Sequence, residues 1–209
     1  TLAIFLKIFS VCLLGAISPG PSMAVIINNA IFKSRYHGIL ASLGHGFGIG
    51  TYALFAVLGI AIIIKTNIHI FNGIKIVSIL FLIYLGIKNI NSQKKIDFVE
   101  KNLGGGIKSF FQGLTIALLN PKVLVWFIAI YSQFMSTNND KIFNAYLILT
   151  ASIVDAAWYI ILCFLVTSSI ALEVIKDKII TLQKLVGSLF IFIAILLSLQ
   201  ILIKVRLFS

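Results

Sequence analysis

Two ionisable side chains stand in the middle of long apolar stretches. Asp155 lies in Ser152-Ile153-Val154-Asp155-Ala156-Ala157-Trp158, and Lys122 follows Pro121 directly. In lipid, each charge would cost at least about 2.5–3.5 kcal/mol on insertion scales, and such a residue marks a functional position by default. Opposite charges at one depth point to a pair, which lessens the cost of each. A solute that displaced Lys122 from Asp155 would free the carboxyl to take a proton. Asp155 is therefore the candidate proton-coupling group as well as a candidate substrate ligand.

Lys122 belongs to the second of two backbone breaks. Ser18-Pro19-Gly20-Pro21 interrupts the uncharged run from Ile8 to Phe32, and Asn120-Pro121-Lys122 interrupts the run from Phe110 to Phe134. Proline removes a donor and clashes with the preceding turn, so a lipid-buried helix accepts it only where other groups satisfy the freed carbonyls. Paired breaks at corresponding places in two halves are the sequence signature of a transporter's midplane site. Each break exposes backbone N–H groups of the following half-helix, which suit a carboxylate, and frees carbonyls of the preceding half, which suit an ammonium. Ser18, Pro19, Gly20, Pro21, Asn120, Pro121, Lys122 and Asp155 form the candidate substrate site, and an amino acid matches its two charges.

These residues need a membrane bundle to position them. Of 209 residues, 60% are hydrophobic and only 11% charged, against roughly 25% charged in soluble proteins. Mean hydropathy is +1.09. About 20 apolar residues cross a bilayer core, and the gaps between charges predict six spans: 2–31, 38–64, 70–90, 110–134, 142–167 and 184–203. The first run is too long for a signal peptide and is read as a retained helix. The loop 91–109, with Gly104-Gly105-Gly106, reads as a flexible connector between halves of about 1–92 and 108–209 within one transporter domain, 1–209.

The net charge of +11 is read as topology. Loops after spans 1, 3 and 5 carry Lys33, Arg35, Lys88, Lys94, Lys95, Lys101, Lys108, Lys176, Lys178 and Lys184. The opposite side carries Lys7, Lys65, Lys75, Lys141, Lys204 and Arg206. The excess puts the odd loops in the cytoplasm. No basic cluster is interleaved with aromatics, so nucleic-acid binding is not expected. Lys75-Ile76-Val77-Ser78-Ile79-Leu80-Phe81 and Lys184-Leu185-Val186-Gly187-Ser188-Leu189-Phe190 share a pattern at the expected starts of spans 3 and 6. With three spans per half, the second half must enter the membrane from the opposite face. The expected fold is thus an all-α integral membrane protein of two inverted three-helix repeats, with helices 1 and 4 broken.

Gly44, Gly46, Gly48 and Gly50 give two interleaved GxxxG spacings in span 2, which read as close helix packing. His45, within that run, is read as a helix-contact residue. Asn28, Asn29 and Gln133 are candidates to line a pathway. Cys12 and Cys163 stand in different spans with no CxxC, and few soft ligands exist, so no metal site is expected. Walker A and Gly-x-Ser-x-Gly signatures are absent, so the chain is read as a transporter and not an enzyme, without a cofactor.

Taken together, Ser18-Pro19-Gly20-Pro21, Asn120-Pro121-Lys122 with Gln133-Phe134, Val154-Asp155 and Gly187-Ser188-Leu189-Phe190 resemble the LysE/RhtB family of exporters over nearly the whole chain. Ser132 departs from that family's proline before Gln-Phe, which would loosen the end of helix 4. The resemblance implies a bacterial cytoplasmic-membrane carrier that exports amino acids or relatives such as lysine, threonine, homoserine or leucine. Its expected partners are a small solute and the lipid bilayer, and a homo-oligomer is compatible with the sequence. The other function classes considered are divalent-metal export and thiol-redox electron transfer. The latter would need cysteines beside the breaks, where Ser18, Gly20, Asn120 and Lys122 stand instead.

Overall fold

The computed structural model describes residues 2–93, 105–135 and 141–208. Among them every regular element is helical: α1 Leu2–Ile17, α2 Pro21–Phe32, α3 Arg35–Thr66, α4 Ile68–Ile90, α5 Gly106–Leu119, α6 Pro121–Phe134, α7 Lys141–Val166 and α8 Ser169–Phe208. Four helices contain stretches long and apolar enough to cross a bilayer. The bent pairs α1–α2 (68°) and α5–α6 (62°) bring the spans to six. The expected connector falls largely on residues 94–104, outside the described ones.

Proline chemistry places both bends. Pro19 and Pro21 cannot donate to the carbonyls of Gly15 and Ile17, four residues back. α1 therefore stops at Ile17, Gly20 is extended, and Pro21 opens α2 at its first position, where a missing N–H costs nothing. At the second bend Asn120 ends α5 and caps α6, its side-chain oxygen accepting from Lys122 N at 3.1 Å. Asn67 plays the same part between α3 and α4, accepting from the N–H groups of His69 and Ile70.

The centre of the bundle is an antiparallel pair, α3 and α7. Arg35 hydrogen-bonds Thr167 at 2.9 Å, Ser42 meets Cys163 at 3.6 Å, and a Cβ on Gly46 would stand 2.7 Å from Ala156 Cβ. α3 also runs parallel to α5 in a four-residue register: Leu40 beside Gly106, Gly44 on Phe110, Gly48 on Leu114, and the Tyr52 hydroxyl donating to Leu118 O. The glycines allow this approach. A Cβ on Gly44 would meet Phe110 O at 1.9 Å, and one on Gly113 would meet Ala41 O at 1.8 Å. α4 crosses α8 with Gly86 and Gly187 face to face. α3 and α5, which both start at the same end of the bundle, run parallel, while α3 and its counterpart α7 run antiparallel. This is the inverted arrangement.

Interior packing forms two clusters, one around Leu82, Tyr131, Leu147, Val186 and Phe190 and one around Met23, Ile26, Ile27, Tyr159 and Cys163. Outward faces carry Phe47, Val77 and Ile153, each more than 60% exposed, as lipid-facing positions must.

Three expectations need correction. Span 6 does not start at Lys184. α8 begins at Ser169, so Lys176, Lys178 and Lys184 lie on a helix and the α7–α8 turn is only Thr167–Ser168. The shared patterns do not open their spans, but they stand equally far in: Lys75 and Lys184 each lie about two turns past the first residues of the apolar stretches Ile68–Ile90 and Asp177–Ile201. Ser132 does not loosen α6. It is fully buried, donates to Ala129 O at 2.8 Å and meets Ser78 Oγ at 3.4 Å.

Candidate functional site

The two bends and the central pair enclose a cavity of about 50 Å³, room for a few waters. The first break contributes Ser18, Gly20 and Ser22, and the second Asn120 and Lys122. His45 comes from α3, Asp155 and Tyr159 from α7, and Cys12, Trp126 and Phe190 close the remaining sides. Ser18, Ser22, His45, Asn120 and Asp155 are all buried. Pro19 and Pro21 are not among the described lining residues; they shape the break that exposes their neighbours.

Lys122 closes one end. Its ammonium donates to Ser18 Oγ and, at 3.5 Å, to Pro19 O. It lies 4.0 Å from where a Cβ on Gly20 would stand. Asn120 ties the breaks together, donating to Ser22 Oγ at 3.2 Å. The N-terminus of α2 has no side-chain cap, so its first amides and the Lys122 ammonium form one electropositive corner.

Asp155 closes the other end, with a partner the sequence did not announce. The expected Lys122–Asp155 pair is not formed. Asp155 Oδ2 accepts from His45 Nδ1 at 2.6 Å, while Lys122 is held by Ser18 and Pro19. His45 therefore does more than pack helices. Its ring lies edge-on to Tyr159, centroids 5.0 Å apart, and among the described residues its buried Nε2 has no hydrogen-bond partner. Tyr159 stands one helical turn after Asp155, so both share a face of α7.

The pathway candidates separate. Asn28 and Gln133 do not line the cavity. Asn29, fully buried, donates to Gln112 Oε1 at 3.0 Å and accepts from Ser109 Oγ at 2.8 Å. Lys33 Nζ also reaches Ser109 Oγ, at 3.2 Å. These contacts join α2 to α5 at the bundle end that carries Lys33, Arg35 and Lys108. The glycine run of α3 lies in contact with α5 and α7, with Gly44 and Gly48 on the former and Gly46 and Gly50 on the latter.

A half-helix N-terminus beside a lysine, facing a carboxylate across a shared cavity between two inverted halves, is transporter geometry. The family model of the LysE type translocators matches residues 13–200. The chain belongs to that family. It is a multi-pass membrane protein of the translocator class. Among similar proteins, this translocator is 28% identical to an uncharacterised membrane protein, YrhP, of Bacillus subtilis, over 72% of this chain and 77% of that one. It is 28% identical to the threonine efflux protein of Escherichia coli K12, over 66% of this chain and 69% of that protein. Against the threonine efflux protein of Salmonella typhimurium the identity is 27%, over 65% and 68%. No solved structure matches it significantly.

Proposed function

We propose that this translocator exports a small zwitterionic amino acid across the bacterial cytoplasmic membrane, driven by an ion gradient. The observation that carries the reading is the separation of charge within one buried cavity, Lys122 and the free α2 N-terminus at one end and Asp155 at the other. The solute's carboxylate would replace Ser18 and Pro19 as the partner of Lys122 and take the α2 amides. Its ammonium would take Asp155 Oδ1, because His45 occupies Oδ2. Ser18, Ser22 and Asn120 offer neutral hydrogen-bonding groups to a short polar side chain, which agrees with the two threonine efflux relatives. The lysine-rich end, held shut by Asn29, Ser109 and Gln112, would face the cytoplasm. Solute would enter when α2 separates from α5.

Divalent-metal export fits less well, because the Lys122 ammonium stands in the cavity. Thiol transfer fits less well too, because neither break carries a cysteine. The test is efflux from cells preloaded with a panel of labelled amino acids, with and without the protein. Faster loss of one or a few small amino acids is the expected result. No change for any of them would refute the proposal.

A further inference from the structure

We infer that the proton site of this carrier is the His45–Asp155 pair, and that the proton enters at His45 Nε2. The inference rests on the exporter reading above and deepens it. Its starting point is the buried Nε2, which has no hydrogen-bond partner among the described residues although the ring is only 2% exposed and lines the solute cavity. A buried ring nitrogen left open is unfavourable in a purely structural role. Nδ1 is committed to Asp155 Oδ2 at 2.6 Å. With Asp155 ionised, that contact fixes Nδ1–H as the donor and leaves Nε2 as a lone-pair acceptor.

Charge balance then supplies the exchange. The titratable and charged groups facing His45 are Asp155 and Tyr159 of α7, Lys122 of α6 and Cys12 of α1; α2 and α8 present Ser22 and Phe190, which do not titrate. With His45 neutral, Lys122 and Asp155 cancel, and the cavity accepts a zwitterion of zero net charge. A proton on Nε2 converts the pair to imidazolium–carboxylate. Asp155 is then neutralised within the pair, the cavity carries a net positive charge from Lys122, and an ammonium is repelled. Solute and proton therefore exclude one another. One proton enters from the water on one side, bonds to Nε2, and leaves to the water on the other. One zwitterion travels the opposite way, so each cycle moves one positive charge inward.

The test uses the full chain reconstituted in liposomes loaded with labelled threonine, a trapped pH dye reporting internal acidification. The wild type should release threonine faster when the outside is acidic, with one proton entering per threonine. His45→Gln keeps an amide that can donate to Asp155 but offers no proton site. It should lose proton entry, and whatever threonine exchange it retains should be independent of pH between about 5 and 8, the range over which an ordinary histidine changes charge. Wild-type proton entry in H45Q overturns the inference. So does an H45Q protein that reaches the membrane but exchanges threonine at no pH, since exchange at equilibrium needs no proton site. Should H45Q fail to accumulate, ring-nitrogen NMR of ¹⁵N-histidine protein with His37 and His69 replaced by Gln gives the answer without altering His45. At the pH where the spectrum shows Nε2 protonated, it should lose its proton when threonine is added, and an unchanged Nε2 signal in a threonine-binding sample refutes the assignment. A wild type that moves no amino acid fails the exporter reading instead. A wild type that moves threonine with neither proton entry nor pH dependence fails only the His45 assignment.

Discussion

The α3–α5 interface allows a quantitative test, because each helix rests a glycine on the other's carbonyl. In Gly44→Ala the new Cβ would lie 1.9 Å from Phe110 O, 2.8 Å from Phe110 C and 3.1 Å from Leu114 N. All three are backbone atoms and none can rotate aside. In Gly113→Ala it would lie 1.8 Å from Ala41 O. Either substitution must drive the helices apart by roughly 1 Å, and a gap of that size forfeits about a quarter to a half of the dispersion attraction across the contact. Overpacking costs about 1–3 kcal/mol, and a backbone clash belongs at the upper end. The helix-propensity gain of Ala over Gly returns about 0.8–1 kcal/mol. The expected net loss is about 2 kcal/mol for each single variant. Because the first substitution opens the space the second needs, the double variant should lose about 2–3 kcal/mol in place of about 4, a strong coupling. Gly59→Ala and Gly73→Ala are the controls. Among the described residues nothing lies within 4 Å of either new Cβ, so each should be neutral or stabilising by up to about 1 kcal/mol. Reversible denaturant unfolding in mixed micelles measures all five variants. A G44A protein as stable as G59A, or an additive double variant, would show that α3 and α5 are not packed as described.

Further outcomes follow from the cavity. If the proposed function holds, Lys122→Met should weaken binding of the exported amino acid about tenfold to a hundredfold, the loss of about 1.5–3 kcal/mol for a charge-assisted hydrogen bond; unchanged affinity by isothermal titration would remove Lys122 from the site. Pro21→Ala and Pro121→Ala each lift a bias of about 3 kcal/mol against continuous helix, so both should abolish efflux at normal abundance, and a silent variant would break the two-sided site. Asp155→Asn should abolish gradient-driven export without loss of insertion; export at the wild-type rate would refute its role. Cys12→Ser with Cys163→Ser should retain most amino-acid efflux, whereas loss of activity that tracks the redox state of the wild type would revive the thiol reading.

The breaks were legible because proline writes backbone geometry directly into sequence, and the glycine run because its spacing matches one helix face. The Asp155 partner was not legible. His45 lies 110 residues away, and nothing in an apolar, glycine-flanked context distinguishes a packing histidine from a paired one until α3 and α7 are set antiparallel. Tyr159 could have been found, since it follows Asp155 by one turn on the same face. The α8 start was misread for a different reason. Glu173, Lys176, Asp177 and Lys178 look like a loop by charge, yet the segment from Ser169 to Gln183 contains neither glycine nor proline to stop a helix. Asn29 was legible only as a pathway candidate, and Ser109 not at all, because their meeting depends on how α2 leaves the first bend.

The glycine contacts between α3 and α5 have a further consequence, set by what the other half lacks. The mirrored interface would join α7 to α1, but α7 contains no glycine, and the one glycine of α1, Gly15, already abuts Trp126. The inverted conformation cannot be sealed by the same close approach, so the two halves cannot trade places at equal energy. Each 1.4 kcal/mol of that inequality is a factor of ten in occupancy. An idle carrier would rest almost entirely with one door shut, so a cell could keep many copies without leaking its metabolites.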